Sequence, residues 1–566
     1  MTNGSFVGSR ACAECHAKIA ETYLASGMGN SLRRIDPDSI SLDDNSNGFS
    51  PDGRHHYSVE ATSEGVFHHE RQTDESGLEI YDQRARVDSV IGSGNQGQSF
   101  IIERDGRLFL SPIGWYSRAR RWDLSPGYQL PSHPRFERVV TEGCLECHCG
   151  QMNAAPGLQN QFKQPAFIEE SIGCERCHGP GAEHIRFRKD PSSSAVDPIV
   201  NPKRLDPARR EDVCNQCHLQ GEGRYPHAGR RFGDFRAGQR LEEVYSILVQ
   251  GTRATSDGRT QAVSQVEQIQ SSACFEKSEG RFGCVSCHDP HFQPPRATLG
   301  LYYRDKCLAC HSDRGCQTPE AERRLAQPDD SCIACHMPAL KTTDVPHTSQ
   351  TDHRVLRKPV ESATPGSSAF EEIPDLFDHA EQRLPQVGVN RARGLWMIDK
   401  AESRRDPELA SRAIRWLTAV ARENPRDAEV QHALGTAASL EGRSEDALTH
   451  WKQALSVEPQ RELTLQNMAV QLQSLGRFTA ARPYFEQSLK VQPWNALMWL
   501  RYSRLLGQLG ETGPAIAAAR KSMEQDPSHA ATHKWLADLY AQTGDHDARR
   551  RALETLARLT PKPTPD

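Results

Sequence analysis

The sequence lacks any long apolar run. Nowhere in its 566 residues do 18 or more apolar residues follow one another without interruption, the length that a membrane helix needs. Mean hydropathy is −0.68, so we expect a soluble protein with no membrane span. Apolar residues are also scarce: with glycine counted and tyrosine left out, they make up about 41% of the chain, against about 45–50% in a typical domain. The length suits three or four domains, and this apolar fraction is low for the hydrophobic cores that so many domains need.

An excess of one charge is lacking too. The chain has 69 basic and 74 acidic residues, a net charge of −5. Nucleic-acid binders carry a clear basic excess, so we expect no nucleic-acid partner. Methionine is rare, with eight residues, and cysteine is absent after residue 335. All 17 cysteines therefore lie in the first part of the chain, where their spacing decides which chemistry they serve.

Fourteen of these cysteines form one repeated motif, in which two cysteines three positions apart are followed directly by a histidine. The motif occurs seven times, whereas the composition predicts roughly 0.02 chance occurrences. Thiols at this spacing can each form a thioether to a haem vinyl group, and the histidine then binds the iron. The seven sites, numbered in chain order, are Cys12, Cys15 and His16; Cys144, Cys147 and His148; Cys174, Cys177 and His178; Cys214, Cys217 and His218; Cys284, Cys287 and His288; Cys307, Cys310 and His311; and Cys332, Cys335 and His336.

Two other uses of paired cysteines explain this motif less well. Structural zinc takes four ligands from two such pairs and has no use for a histidine after every second cysteine. Disulfides within the pairs would leave the histidines unexplained. We therefore expect seven covalently attached haem c groups (iron), whose apolar faces replace missing aliphatic core in residues 1 to about 358.

A haem that only transfers electrons needs a second axial ligand, usually histidine or methionine. Histidines outside the motifs exceed this demand, so the local context has to select among them. A glycine-rich turn precedes one candidate, another lies three residues after a motif histidine, two follow the last motif closely, and one methionine stands alone in a small, polar stretch. In that order, the five favoured ligands are His184, His291, His347, His353 and Met28. Weaker candidates are His133, His227 and the pairs His55–His56 and His68–His69.

Spacing and composition divide the chain into four parts. Residues 1–140 form an N-terminal haem-binding region with a β-hairpin insert, because two strand-like stretches meet at Asp105-Gly106. Residues 141–358 hold six motifs and are expected to form a hexahaem core. Prolines punctuate a linker at 359–390. Residues 391–566 carry prolines and glycines that recur every 34 residues, the period of tetratricopeptide repeats.

Further short motifs precede residue 359: Ile91-Gly-Ser-Gly94, Trp115-Tyr116, Gly179-Pro-Gly181, Asn201-Pro202, Asp289-Pro-His291, Met337-Pro338 and Thr351-Asp-His353. Together with the repeats, they resemble bacterial multihaem c-type cytochromes fused to tetratricopeptide repeats. The resemblance covers nearly the whole chain. It implies electron transfer in the periplasm or outside the cell, and it adds support for the five favoured axial ligands. The expected fold is mainly α with a small β region: a loop-rich multihaem cytochrome domain followed by an α-solenoid of tetratricopeptide repeats.

The first residues bear on localisation. Haem is attached to such motifs outside the cytoplasmic membrane, which requires a secretion signal. The stretch Met1-Thr-Asn-Gly-Ser-Phe-Val7 shows neither a basic start nor an apolar core. We therefore expect a periplasmic or extracellular protein whose signal is absent from this sequence, either because it is a mature form with an added Met or because the gene start is misassigned.

Two classes of function fit these features. The first is a seven-haem c-type cytochrome that relays electrons between redox partner proteins docked through the repeats. The second is a multihaem oxidoreductase of the hydroxylamine-oxidoreductase or nitrite-reductase type, with one open haem for a small nitrogen or sulfur compound. The nitrite-reductase motif CxxCK does not occur, since Cys274-Phe-Glu-Lys277 lacks the second cysteine. We therefore expect an electron-transfer protein rather than a catalyst. A subunit of an extracellular haem-wire filament is a third hypothesis, and a homo-oligomer is compatible with all three.

Three cysteines stand outside the motifs: Cys149, Cys274 and Cys316. A thiolate near a haem is a ligand or an anchor for a sulfur substrate. The simpler interpretation, which we favour, is one disulfide and one buried thiol.

Overall fold

The computed structural model describes residues 5–37, 47–117, 119–130, 133–155, 160–190, 196–249, 264–312, 315–338, 351–357 and 373–560. Contacts divide the chain into two compact units. The first contains Met1–Leu32, Glu142–Met152 and Phe167–Trp396, and the second contains Arg33–Thr141, Asn153–Ala166 and Met397–Asp566. About half of the chain is helical, with a sheet region towards the N-terminus and a helical repeat region at the C-terminal end. The four-part division made from the sequence stays a prediction.

Short helices joined by turns and loops build the first unit. Their sequence signals are local: α6 begins after Asp206, whose side chain accepts the Arg209 N–H, and Pro207 occupies its first position. The helices are α1 (Ser9–Ala13), α2 (Ala17–Leu24), α3 (Glu142–His148), α4 (Cys174–His178), α5 (Ala182–Lys189), α6 (Pro207–His218), α7 (Gln265–Gln270), α8 (Ala273–Glu276), α9 (Cys284–Cys287), α10 (Leu299–His311), α11 (Glu320–Ala326) and α12 (Cys332–His336).

The strands of the described residues form four sheets. One has seven strands (β1, β6–β11), one has four (β2–β5), one has two (β12, β13) and one has three (β14–β16). The strands are β1 (Leu32–Arg34), β2 (Gly48–Phe49), β3 (His55–Thr62), β4 (Gly65–Thr73), β5 (Glu79–Val87), β6 (Ser89–Ile91), β7 (Gly97–Arg104), β8 (Arg107–Leu110), β9 (Ile113–Tyr116), β10 (Arg121–Leu124), β11 (Arg138–Val139), β12 (Gln151–Ala154), β13 (Phe162–Glu169), β14 (Gly223–Pro226), β15 (Tyr245–Val249) and β16 (Asp375–Leu376).

The hairpin expected at Asp105-Gly106 is confirmed. Strands β7 and β8 pair antiparallel, with Arg104 opposite Arg107. Asp105 has φ 51° and Gly106 has φ 72°, the left-handed conformation that a two-residue hairpin turn needs at both positions.

The C-terminal helices follow the predicted 34-residue period. Ala447, Ala481 and Ala515 recur at this spacing and are fully buried, because only a small side chain fits where two helices approach closely. The glycines that end the first helix of successive repeats have φ between 71° and 80°, which terminates a helix without strain. The helices are α13 (Gln386–Arg404), α14 (Pro407–Glu423), α15 (Ala428–Leu440), α16 (Ser444–Val457), α17 (Glu462–Ser474), α18 (Phe478–Val491), α19 (Ala496–Gln508), α20 (Thr512–Gln525), α21 (Ala530–Thr543) and α22 (His546–Leu559).

Within the second unit, the sheets pack against the C-terminal ends of the repeats. The Phe109 ring meets Trp494 edge-on with centroids 4.9 Å apart, and Arg107 covers the same indole at 4.8 Å. The Arg558 guanidinium donates to the Asp74 carboxylate at 2.8 Å. The inter-repeat turns therefore provide a packing surface for the sheet region, a role that the repeat pattern itself did not indicate.

Candidate haem-binding sites

The seven cysteine motifs lie on short helices or at helix ends of the first unit. Residues three and four apart share one face of a helix, so both thiols and the imidazole of a motif project to the same side. Helix α4 consists of one motif, α12 likewise, and α3, α6 and α10 each end on a motif histidine. In the fifth motif, α9 carries both cysteines and His288 follows directly.

Three motif histidines face a second histidine from a distant part of the chain. The ring centroids of His16 and His184 lie 6.4 Å apart with planes at 19°. The second pair is His178 and His291, at 5.9 Å and 9°. The third pair joins His288 and His353, at 6.4 Å and 27°.

These separations leave room for one metal atom between the rings. A metal–imidazole bond is about 2.0–2.1 Å long, and a ring nitrogen lies about 1.1 Å from its centroid, so two imidazoles on opposite sides of one metal have centroids about 6.3 Å apart. Among the described residues, no three His, Cys, Asp or Glu side chains converge on a bare ion. Paired rings beside paired thiols thus fit a haem, which brings its own equatorial ligands.

The second ring nitrogen of these histidines is held by hydrogen bonds. The Nδ1–H of His178 donates to the Val200 carbonyl at 2.8 Å, and that of His353 to the Thr351 carbonyl at 2.8 Å. Metal-binding histidines characteristically use one nitrogen in this way, which fixes the ring and leaves the other nitrogen for the metal. His336 follows the same pattern, with Nδ1 2.7 Å from the Leu356 carbonyl; the Tyr303 hydroxyl lies 3.1 Å from Nδ1 of His288.

At His184 the hydrogen-bond partner of Nδ1 is a carboxylate instead of a backbone carbonyl. Its Nδ1 lies 2.7 Å from Oδ1 of Asp197. Burial alone would raise the pKa of Asp197, but the hydrogen bonds from His184 and Ile199 and the charge of Arg188 outweigh it and hold the pKa below its ordinary value. Asp197 and Val200 belong to one short stretch, which therefore orients the rings of two different pairs.

The residue after Cys174 ties the third motif to the first. The Glu175 carboxylate accepts the backbone N–H groups of Val7 at 3.0 Å, Gly8 at 2.7 Å and Gly181 at 2.7 Å. Three amide donors satisfy a buried carboxylate without a counter-charge. The N-terminal segment that leads into Cys12 is thereby fixed against α4.

The next residue ties the third motif to the second and fourth. Arg176 forms a buried ion pair with Glu146, which lies between the cysteines of the second motif; the two side chains are 10% and 1% exposed. Gln216 of the fourth motif donates to the Arg176 carbonyl at 3.2 Å. Burial raises the pKa of Glu146, and the adjacent Arg176 charge opposes that rise.

Thiols of different motifs also lie close to one another. The neighbouring Cys174 thiol raises the pKa of Cys12. Three further pairs of this kind are Cys147 with Cys217, Cys284 with Cys214, and Cys307 with Cys332. The first motif therefore neighbours the third, the fourth neighbours the second and fifth, and the sixth neighbours the seventh.

Large apolar side chains stand exposed beside several motifs. Ile19 is 47% exposed, Val285 43%, Phe292 40% and Leu301 51%. Each lies within or close to a motif in sequence, where a porphyrin would cover it. Together with the paired rings, this distribution fits the cofactor that the motifs predict.

The three additional cysteines differ in environment. Cys149 is 2% exposed, and its thiol donates to the Glu169 carbonyl at 3.3 Å. Burial raises the pKa of this thiol to about 12, so it is the inert buried thiol of the simpler interpretation. Cys274 is partly buried, Cys316 is exposed, and both are free thiols, so the expected disulfide is not formed in this structure.

The remaining candidate ligands occupy other settings. Met28 lies in the turn after α2 and is partly exposed, and its role as a ligand stays a prediction. His347 lies outside the described residues. Both nitrogens of His133 are engaged, by the Tyr57 hydroxyl at 2.8 Å and the Arg135 N–H at 3.1 Å, which makes it a polar residue of the sheet core. Nε2 of His227 lies 3.2 Å from the Ser246 hydroxyl.

Several residues that shape these sites carry no recognisable sequence signal. Glu175 and Arg176 occupy the variable positions of a motif, where any residue is allowed. Asp197 and Val200 follow the third motif at a distance at which only the fold brings them back to it. Tyr303, which precedes Cys307, contacts the histidine of the preceding motif.

Each comparison with known proteins matches a limited part of this chain. The model of the family described as "Cytochrome c554 and c-prime" matches residues 129–179, which include the second and third motifs. A stretch of 116 residues, 20% of this chain, is 33% identical to the Hsp70-Hsp90 organizing protein of Triticum aestivum and spans 19% of that protein.

Similar solved structures are those of MamA. One is MamA 41-end from Desulfovibrio magneticus RS-1, at 18% identity and a TM-score of 0.28, covering 31% of this chain and 96% of that one. Another, a MamA RS-1 double mutant, has 19% identity and a TM-score of 0.29, covering 31% and 95%. Within the described ranges, every helix is too short or too polar to cross a membrane.

Proposed function

We propose that this protein is a seven-haem c-type cytochrome that relays electrons between redox partner proteins. The observation that carries the proposal is the set of three imidazole pairs, each formed by a motif histidine and a distant histidine across a gap that suits one iron atom. Each haem supplies an iron that alternates between the ferric and ferrous states. The protein supplies the ligands, fixes their rings and holds neighbouring motifs in contact.

Each motif has a defined part in this proposal. Its two cysteines hold a haem through thioethers, and its histidine is the proximal ligand. His184 is the distal ligand opposite His16, His291 opposite His178, and His353 opposite His288. Further distal ligands come from His347 and Met28.

The contacts between motifs suit a relay. Electron transfer between cofactors requires them to lie close together, and four pairs of neighbouring thiols bring different motifs together. Glu175 and Arg176 hold four motifs in one cluster, so their haems share a fixed geometry. At the three paired sites, a histidine on each side of the iron would leave no position for a substrate, which supports a relay role for these three sites.

The C-terminal helices have the role of docking redox partners. Their 34-residue period is that of tetratricopeptide repeats, which stack into an α-solenoid and commonly bind proteins. The similarity to a cytochrome c family supports export, and we assign the protein to the periplasm or the cell exterior.

Intact mass spectrometry of the holo-protein tests the cofactor content. We expect seven haem adducts. The double variant Cys144→Ala and Cys147→Ala should lose one adduct, whereas Cys149→Ser should retain all seven. Fewer than seven adducts on fully matured wild-type protein would overturn the proposal.

A second measurement separates the relay from the oxidoreductase. We expect the oxidised holo-protein to show no spectral change with cyanide or nitrite, because a relay needs no open distal position at any of its haems. A haem that turns out to be high-spin and binds either anion would establish an open site and favour the enzyme.

A further inference from the structure

Asp197 is the centre of a small charged network behind His184. Its Oδ1 accepts from Nδ1 of His184 at 2.7 Å and from the Ile199 N–H at 3.2 Å. Its Oδ2 forms an ion pair with Nη2 of Arg188 at 2.7 Å. The carboxylate is 17% exposed, and donors at both oxygens keep it anionic and fixed.

This arrangement differs from that of the other oriented histidines. Nδ1 of His178, His336 and His353 faces a neutral backbone carbonyl. Nδ1 of His288 faces a phenol hydroxyl. Among these described Nδ1 hydrogen bonds, that of His184 is the one with an anionic partner.

The anionic acceptor Asp197 at Nδ1 changes how strongly Nε2 of the His184 ring can bind a metal. It pulls on the Nδ1 proton and makes the imidazole a stronger donor through Nε2, and such outer partners tune the metal that the ring binds. A stronger donor and a nearby negative charge both favour the more positive ferric iron over the ferrous state. By both routes Asp197 would bias the site formed by His16 and His184 towards oxidation.

We propose that Asp197 is a positioning residue that acts through His184 to lower the reduction potential of the His16 site. This inference rests on the proposed function, because it requires a haem between His16 and His184. Arg188 opposes Asp197: its guanidinium neutralises part of the carboxylate charge. The two residues thus set the potential in opposite directions.

Potentiometric titration of the holo-protein, followed by optical and electron paramagnetic resonance spectra, tests the sign of both effects. Asp197→Asn keeps an oxygen acceptor for Nδ1 but removes the charge, so one midpoint potential, that of the haem which His184→Ala makes high-spin, should rise. Arg188→Gln should shift the same midpoint further down. The matched control is Arg186→Gln on the same helix, since Arg186 and Arg188 are both 65% exposed but Arg186 pairs with Glu183; it should leave all midpoints unchanged.

The variants test the pairing of His16 with His184 and the role of Asp197 separately. His184→Ala should convert one low-spin haem to high-spin; if every haem stays low-spin, the pairing of His16 with His184 is wrong. If His184→Ala behaves as expected but neither Asp197→Asn nor Arg188→Gln moves the midpoint of that haem, only the role of Asp197 is overturned. Arg188→Gln keeps the test valid should the Asp197 variant mature incompletely, because an exposed arginine tolerates replacement.

Discussion

The imidazole rings of His178 and His291 are nearly parallel, with centroids 5.9 Å apart and an interplanar angle of 9°. Replacing the distal ring tests whether the pair shares an iron. We expect His291→Ala to convert one haem from low-spin to high-spin, seen in the resonance spectrum of the oxidised holo-protein. His379→Ala is the control, because that side chain is 77% exposed and faces no motif histidine in the described structure. An unchanged spectrum in His291→Ala would show that His291 and His178 do not bind the same iron.

The ion pair of Arg176 with Glu146 should matter for stability. Arg176→Met leaves a buried carboxylate without its partner, a change that typically costs about 3–5 kcal/mol. Chemical denaturation of the holo-protein should show this loss, and adding Glu146→Gln should restore part of it. Arg186→Met, at an exposed position, should fall within about 0.5 kcal/mol of wild type. Equal effects of Arg176→Met and Arg186→Met would show that the pair contributes nothing.

Thiol labelling distinguishes the three cysteines outside the motifs. At pH 8 the native holo-protein should react with iodoacetamide at Cys316, which is exposed, and not at Cys149, whose pKa burial raises to about 12. After denaturation both should react. Peptide mass mapping reads out the sites, and rapid native labelling of Cys149 would contradict its burial.

His432 should make the stability of the repeat region depend on pH. Burial, aided by the Arg461 charge, lowers the pKa of His432 to about 4, against about 6.5 when unfolded. Because the folded state disfavours the protonated ring, this stabilisation is complete above about pH 6.5 and is lost as the pH falls through 4. The difference amounts to roughly 3 kcal/mol.

Denaturation of the holo-protein between pH 7 and 4 measures this effect. His432→Asn should reduce the decline, because the variant has no proton to gain. His546→Asn is the matched control at an exposed position and should decline like wild type. If the stability of His432→Asn fell with pH as steeply as that of wild type, His432 would not be the cause of the pH dependence.

The repeat core offers a test of packing. Phe485 is fully buried, whereas Leu463 is 55% exposed. Phe485→Ala should cost about 3–5 kcal/mol through lost contacts and a cavity, while Leu463→Ala should change stability by less than about 0.5 kcal/mol. The midpoint of helix loss, followed by circular dichroism, should separate the two variants clearly.

Features encoded by nearby residues could be predicted from the sequence. The turn at Asp105-Gly106 and the period that recurs at Ala447, Ala481 and Ala515 depend on contacts between residues close in the chain. Each motif likewise places its thiols and imidazole within one helical turn. For these features, spacing alone determines the local geometry.

Features that depend on the folded chain could not be predicted in the same way. His184, His291 and His353 were candidates, but which motif histidine each would face depends on contacts across large sequence separations. The roles of Arg176 and Asp197 were missed because an arginine or aspartate has many common uses at the surface, and only burial against Glu146 or His184 makes them specific. The packing of the sheets on the inter-repeat turns was missed for the same reason.

The order of the paired rings along the chain bears on how the protein is made. In each pair the motif histidine comes first, and its partner lies far downstream: 184 after 16, 291 after 178 and 353 after 288. Synthesis starts at the N-terminus, so every motif histidine exists before its partner does. Each pair must then close a long loop, which costs entropy that later contacts repay. A chain that emerges N-terminus first therefore makes His184 available before His291, and His353 last of the three partners.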